Sequence, residues 1–161
     1  MSRSDAARVY LVRHAKAGDR SRWTEPDELR PLSSKGKRQA EALALRFRTL
    51  EVARVITSPH LRCVQTVRPL AIDREIPLEL SEALAEGAPT QAALALVEES
   101  AEAPTVLCSH GDIIPAVVLA LADRGMALQG SRDWKKASTW VLESVDGRFT
   151  RARYIPPPKE G

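Results

Sequence analysis

The chain has 161 residues, 43% of them hydrophobic, which suffices for one domain with a real core and gives no reason to expect two. Its 24 Lys and Arg against 21 Asp and Glu leave a formal charge of +3, spread along the chain, so a nucleic-acid polymer is not the expected partner. No apolar run approaches a membrane span and the N-terminal "MSRSDAARVYLV" has no secretory leader pattern, so the expectation is a cytoplasmic protein without membrane contact.

In chain order, the apolar run at 8–12 (RVYLV) predicts a strand, followed by a long connection, "AKAGDRSRWTEPDELRPLS", of the kind that is usually functional. Ser33 or Ser34 then caps a helix in which Ala40, Leu43, Ala44 and Phe47 recur at helical spacing. A strand is predicted at 52–57, and a second helix with Pro59 as its first residue and Val64, Val67 and Ala71 on one face. A short strand around 76–80 precedes a third helix opened by Pro89-Thr90. The strand at 104–109 leads into a fourth helix, with Pro115 in its first turn and Gly125 at its end. Strands at 138–145 and 148–154 are joined by Asp146-Gly147. Alternating strands and helices of this kind make an α/β domain, a sheet covered by helices, assigned to residues 1–155 with 156–161 as a disordered tail. Cys63 and Cys108 have neither metal-ligand nor disulfide spacing and read as core residues.

Four segments carry chemistry: "VRHAKAG", "TSPHLRCVQT", "LSEALAEG" and "LCSHGDIIP". In the first and last, an apolar strand ends at a histidine, and ligands of open α/β sheets bind at the carboxyl ends of strands, so His14 and His110 are expected to share a crevice. The second places Ser58 at a strand end and Arg62 in the first turn of a helix, on the same rim. Arg13 and Arg62 offer planar forks for phosphate oxygens, a neutral His14 imidazole offers a lone pair for attack on phosphorus, and His110 adds a donor. That combination describes a phosphoryl-transfer site needing no metal and no cofactor. Glu82 is the first candidate for protonating a leaving group and Glu86 the second. A metal site built from His14, His110 and Asp112 is not expected, because no HxH or HxxxH spacing is present and two arginines would repel a cation. His60 reads as a packing or surface residue, Lys16, Arg20 and Arg22 as solvated charges, Lys135 and Lys136 as a solvated turn, and Trp23, Trp134 and Trp140 as packing residues.

Taken in order, "LVRHAKAG", "PLSSKGKRQAEAL", "ITSPHLRCVQT" and "VLCSHGDIIP" resemble the histidine phosphatase superfamily over roughly residues 8–125. The resemblance implies a mostly parallel sheet in a three-layer sandwich. It also implies a metal-independent phosphatase in which His14 becomes phosphorylated, Arg13, Arg62, His110 and Ser58 hold the phosphoryl group, Glu82 gives a proton, and Gln65 supports the site. One position departs from the family pattern: Ala15 stands where a glycine usually follows the histidine. The absence of large insertions is similar to the compact SixA-type phosphohistidine phosphatases, and "KKASTWVLE" to the phosphatase-like domain that follows a Nudix domain in some actinobacterial proteins. The implied substrate is a phosphohistidine protein, a nucleotide or another small phosphoester. A phosphoglycerate mutase-like phosphotransferase and a non-catalytic phosphate-binding module are the alternatives.

Overall fold

A computed structural model describes residues 6–160. Seven strands form one sheet: β1 (Ala6–Arg13), β2 (Arg54–Thr57), β3 (Leu78–Leu80), β4 (Thr105–Ser109), β5 (Ala127–Gln129), β6 (Thr139–Val145) and β7 (Arg148–Ile155). Their order is β3-β2-β4-β1-β6-β7-β5, with β3, β2, β4 and β1 mutually parallel and β6 and β7 antiparallel to their neighbours in the β1-β6-β7 meander. Four helices cover it: α1 (Ser34–Phe47), α2 (Leu61–Arg74), α3 (Thr90–Glu99) and α4 (Ile113–Asp123). No described helix is long and apolar enough to cross a membrane.

The continuous apolar run of β1 follows from its central place, because both of its faces are buried. Val9 and Leu11 join one core with residues of α3 and α4, while Tyr10 and Val12 join a second core with residues of α1 and α2. This alternation makes the three layers. Phe47 closes the second core edge-on to Tyr10, ring centroids 5.1 Å apart, and is fully buried. Phe47→Ala is expected to cost about 3–5 kcal/mol, read from the denaturant midpoint of the folded chain.

Most of the predicted elements are present, with three differences. The helix α2 starts at Leu61, so Pro59 lies two residues ahead of it and His60 is the N-cap residue. The strand β5 was not predicted: three residues are too short to show alternation, and β5 exists because β7 offers it a parallel edge, Ala127 opposite Arg151. Residues 156–160 have no regular structure, yet the Pro156 carbonyl accepts a bond from Arg46 Nη1 at 2.8 Å and Glu160 lies 3.3 Å from Arg38 Nε. Elsewhere the signals act as expected. Ser33 Oγ caps α1 by accepting from Gly36 N, and past α4 the amides of Gly125 and Met126 close on Ala122 O and Leu121 O.

Candidate active site

The parallel pairing of β1 with β4, Arg13 opposite Ser109, brings two strand ends together, so the residues that follow, His14 and His110, emerge side by side. Their rings lie edge to face, centroids 5.4 Å apart, and both are buried. The His14 amide donates to Ser109 O at 3.0 Å, which ties the two ends to each other.

His14 Nδ1 lies 2.8 Å from Ala15 O. A carbonyl can only accept, so Nδ1 carries the proton and Nε2 keeps its lone pair. Burial pushes the His14 imidazole down to about 3; the bond to Ala15 opposes the shift, and the charges of His110, Arg62 and Arg13 add to it. The nucleophile candidate is therefore neutral at every pH above about 3. Between roughly pH 6.5 and 3 the unfolded chain binds a proton that the folded chain refuses, so stability falls as pH falls through that window. Denaturant titrations across these pH values should show that slope in the wild type and a weaker one in His14→Ala.

Ala15 is fully buried, its amide donates to Thr66 Oγ1 at 2.9 Å, and its backbone is not among those with positive φ. The alanine therefore sits where a Cβ is tolerated, and the departure from glycine introduces no strain.

Arg62, on the first turn of α2, is completely buried. Its Nη1 donates to Asp27 O at 3.0 Å, and its Nη2 to Asp27 Oδ2 at 3.0 Å and to Glu86 Oε1 at 2.6 Å. Two carboxylates thus occupy the fork that an oxyanion would take. Arg13 donates from Nη1 to Trp134 O at 2.6 Å, and its Nε is buried without a partner. Burial lowers its pKa, with Asp112 acting in the opposite direction. Its guanidinium lies flat on Gly111: a Cβ there would stand 2.7 Å from Arg13 Cζ. A Cβ at that close approach would push the guanidinium aside, so Gly111→Ala should displace Arg13 and lower kcat/KM by up to about a hundredfold, with the circular dichroism spectrum unchanged.

His110 Nε2 lies 2.9 Å from Ser58 Oγ, which also accepts from the His60 amide. Its Nδ1 is buried without a hydrogen-bond partner, 3.7 Å from Glu86 Oε1, and is the nitrogen left for an anion. Gln65 supports the long connection after β1 by accepting from Leu32 N at 2.8 Å.

Of the two candidate proton donors, the structure brings Glu86 to Arg62 and His110. Glu82, the first choice from sequence, is an exposed residue of the 3-10 turn 82–84 and its side chain joins none of these groups. Asp112 Oδ2 accepts from Gly87 N at 2.9 Å, and its charge acts on Arg13. His60 packs edge-on against His110, centroids 4.7 Å apart. Together His60, His110 and Glu86 offer ligand atoms within 4.8 Å of one another, the one such metal-sized group among the described residues. Arg62 Nη2, 2.6 Å from the shared carboxylate oxygen, opposes a cation there.

Beside His14 opens a cleft of about 530 Å³ lined by Arg13, Lys16, Arg20, Arg30 and Lys136, with Asp19 as its one carboxylate. Lys136 reads from sequence as a solvated turn residue, and its place here comes only from the pairing of β6 with β1.

A family model described as the histidine phosphatase superfamily (branch 1) matches residues 9–90. An 8-oxo-(d)GTP phosphatase of Mycolicibacterium smegmatis is 36% identical over 97% of this chain and 50% of its own length, so the chain spans about half of that relative. Among solved structures, the protein histidine phosphatase SixA complexed with tungstate superposes with a TM-score of 0.73 at 21% identity, over 93% of this chain and 97% of that one. A mycobacterial glucosyl-3-phosphoglycerate phosphatase superposes with a TM-score of 0.69 at 18% identity, over 96% of this chain and 100% of that one. At these identities the likeness is one of fold.

Proposed function

The chain belongs to the histidine phosphatase superfamily, and on that premise we propose that it is a phosphatase working in two steps through a phosphohistidine on His14. The observation that carries this reading is the pinned Nδ1 of His14: with its proton held on Ala15 O, a neutral imidazole presents Nε2 toward a site flanked by Arg13, Arg62 and His110.

In the first step Nε2 forms a bond to phosphorus while the bond to the leaving oxygen breaks and its electron pair departs with that oxygen. Negative charge spreads over the equatorial oxygens, where Arg13, Arg62 and the free nitrogen of His110 serve as donors once the substrate has taken the Arg62 fork. The substrate oxyanion replaces the Asp27 and Glu86 carboxylates on the Arg62 fork, and Glu86, released at that moment, takes the proton of the monoanionic phosphate and passes it to the leaving oxygen. In the second step water adds to phosphorus, the bond to Nε2 breaks, and Glu86 takes the proton from water.

The similar proteins are named as a protein histidine phosphatase, an 8-oxo-(d)GTP phosphatase and a glucosyl-3-phosphoglycerate phosphatase, and the reading extends to phosphorylated small molecules and phosphohistidine proteins alike. Release of inorganic phosphate from a panel of such substrates, with a chelator present, tests it. Glu86→Gln should lower kcat on an alkyl phosphate about a hundredfold while Glu82→Gln stays within about twofold of wild type; the reverse order would return the proton-donor role to Glu82.

A further inference from the structure

We propose that the preferred substrate carries contiguous phosphoryl groups, with Lys136 and Lys16 holding the phosphoryl group next to the one that His14 attacks. The proposal rests on the phosphatase reading above and names its substrate class: a chain of two or more phosphates, either on a nucleoside or as inorganic polyphosphate.

The charge balance of the cleft points to it. Asp27 and Glu86 offset two of the three charges of Arg20, Arg30 and Arg62, and the third, together with Arg13, matches one phosphate monoester dianion, yet the adjoining cleft adds Lys16 and Lys136. Arg30 is bonded to Asp27 at 3.0 Å, and Arg20 lies 3.7 Å from Asp27 and 3.6 Å from Glu86. The one carboxylate of the lining, Asp19, accepts from Ser21 and faces Arg22. Lys16 and Lys136 form no ion pair among the described residues, so two cations converge on the cleft without a counter-charge. A monoester gives them nothing to bind, whereas a second phosphate does.

Lys136 is also built into place. The next residue, Ala137, is fully buried at φ +67, a conformation that an alanine adopts only under constraint. Its amide reaches both Arg13 O and His14 O at 3.1 Å, and Ser138 O accepts from Arg13 N at 3.0 Å. The turn that carries Lys136 is thereby fastened to the backbone of the nucleophile itself. The Lys136 side chain is exposed at the cleft, and the anchorage fixes the backbone from which it projects. Desolvation lowers the Lys136 pKa, and the charges of Arg13, Arg30, Lys16 and Arg20 add to it, so an anion bound among them would relieve mutual repulsion.

The chemistry is balanced without further reactants. Nε2 of His14 bonds to the terminal phosphorus, the bridging P–O bond breaks, and its electron pair leaves on the shortened phosphate chain. Water then returns the phosphoryl group as orthophosphate. A phosphate leaving group of low basicity makes little demand on a proton donor, so this step does not depend on Glu86.

The test compares kcat/KM for a nucleoside monophosphate, diphosphate and triphosphate and for inorganic tripolyphosphate, using wild type, Lys136→Ala, Lys16→Ala and, as a control on exposed α1, Lys37→Ala. The expected result is a preference of about tenfold or more for the diphosphate over the monophosphate, reduced about tenfold in Lys136→Ala and unchanged in Lys37→Ala. Equal use of mono- and diphosphate, or a preference indifferent to both cleft lysines, would overturn the proposal. Tripolyphosphate used as well as the nucleoside triphosphate identifies inorganic chains as the source, and a clear nucleoside advantage identifies nucleotides. If no substrate releases phosphate, the phosphatase reading fails separately, and calorimetric titration still decides: tripolyphosphate should bind at least about tenfold tighter than orthophosphate in wild type but not in Lys136→Ala. Equal binding would overturn the proposal there too.

Discussion

His14→Ala should abolish turnover, with a loss on the order of ten-thousandfold or more in kcat on any substrate the wild type hydrolyses. The size of the effect follows from the role: no second imidazole presents an unprotonated nitrogen in the same place. His110 cannot substitute, because its Nε2 is taken by Ser58 Oγ at 2.9 Å and its Nδ1 faces Glu86. The fold should survive, since what is lost is one buried ring at the end of β1, while the strand pairing and the His14 amide bond to Ser109 O are made by backbone. Near-ultraviolet circular dichroism and the thermal midpoint check that point alongside the assay. Wild-type turnover in a folded His14→Ala protein would refute the nucleophile.

Arg62→Ala should lower kcat/KM about a thousandfold, mostly in kcat, because in the proposed reaction the Arg62 fork takes the oxyanion. In the resting protein that fork is filled by Asp27 and Glu86, and both carboxylates have side chains more than a third exposed, at 39% and 37%. Water therefore screens their repulsion once the guanidinium is gone, and the loss of activity should greatly exceed the loss of stability. Arg62→Lys keeps the charge but not the planar pair of donors, and should recover less than about a tenth of the wild-type rate. Steady-state kinetics of the two variants beside their denaturant midpoints separate the roles. A loss below tenfold in Arg62→Ala would mean that the fork does not bind the reacting group.

What could be read from the sequence was whatever lies contiguous with a strand end. Arg13-His14, Ser58 and His110 each terminate an apolar run, and Arg62 follows within one turn, so parallel pairing of three strands is enough to assemble them. What could not be read depends on contacts between distant segments or on local turn geometry. The choice between Glu82 and Glu86 turns on a three-residue 3-10 helix that no periodicity announces. The close approach at Gly111 exists only once Arg13 lies across it, and Lys136 enters the cleft only because β6 returns beside β1. The seventh strand, β5, is too short to leave a pattern. Conversely, Ala15 stands out as a departure in the motif, yet its backbone conformation accommodates a methyl group without strain.

Phosphoryl transfer to His14 is tested most directly by trapping the intermediate: mix enzyme with radiolabelled substrate, quench in alkali within the first turnover, and map the labelled peptide. The expected result is an acid-labile, alkali-stable phosphoryl group on His14, formed in a burst and absent from His14→Ala. Full turnover with no labelled histidine, together with inversion of configuration at phosphorus, would mean that water attacks the substrate directly and that His14 is not the nucleophile.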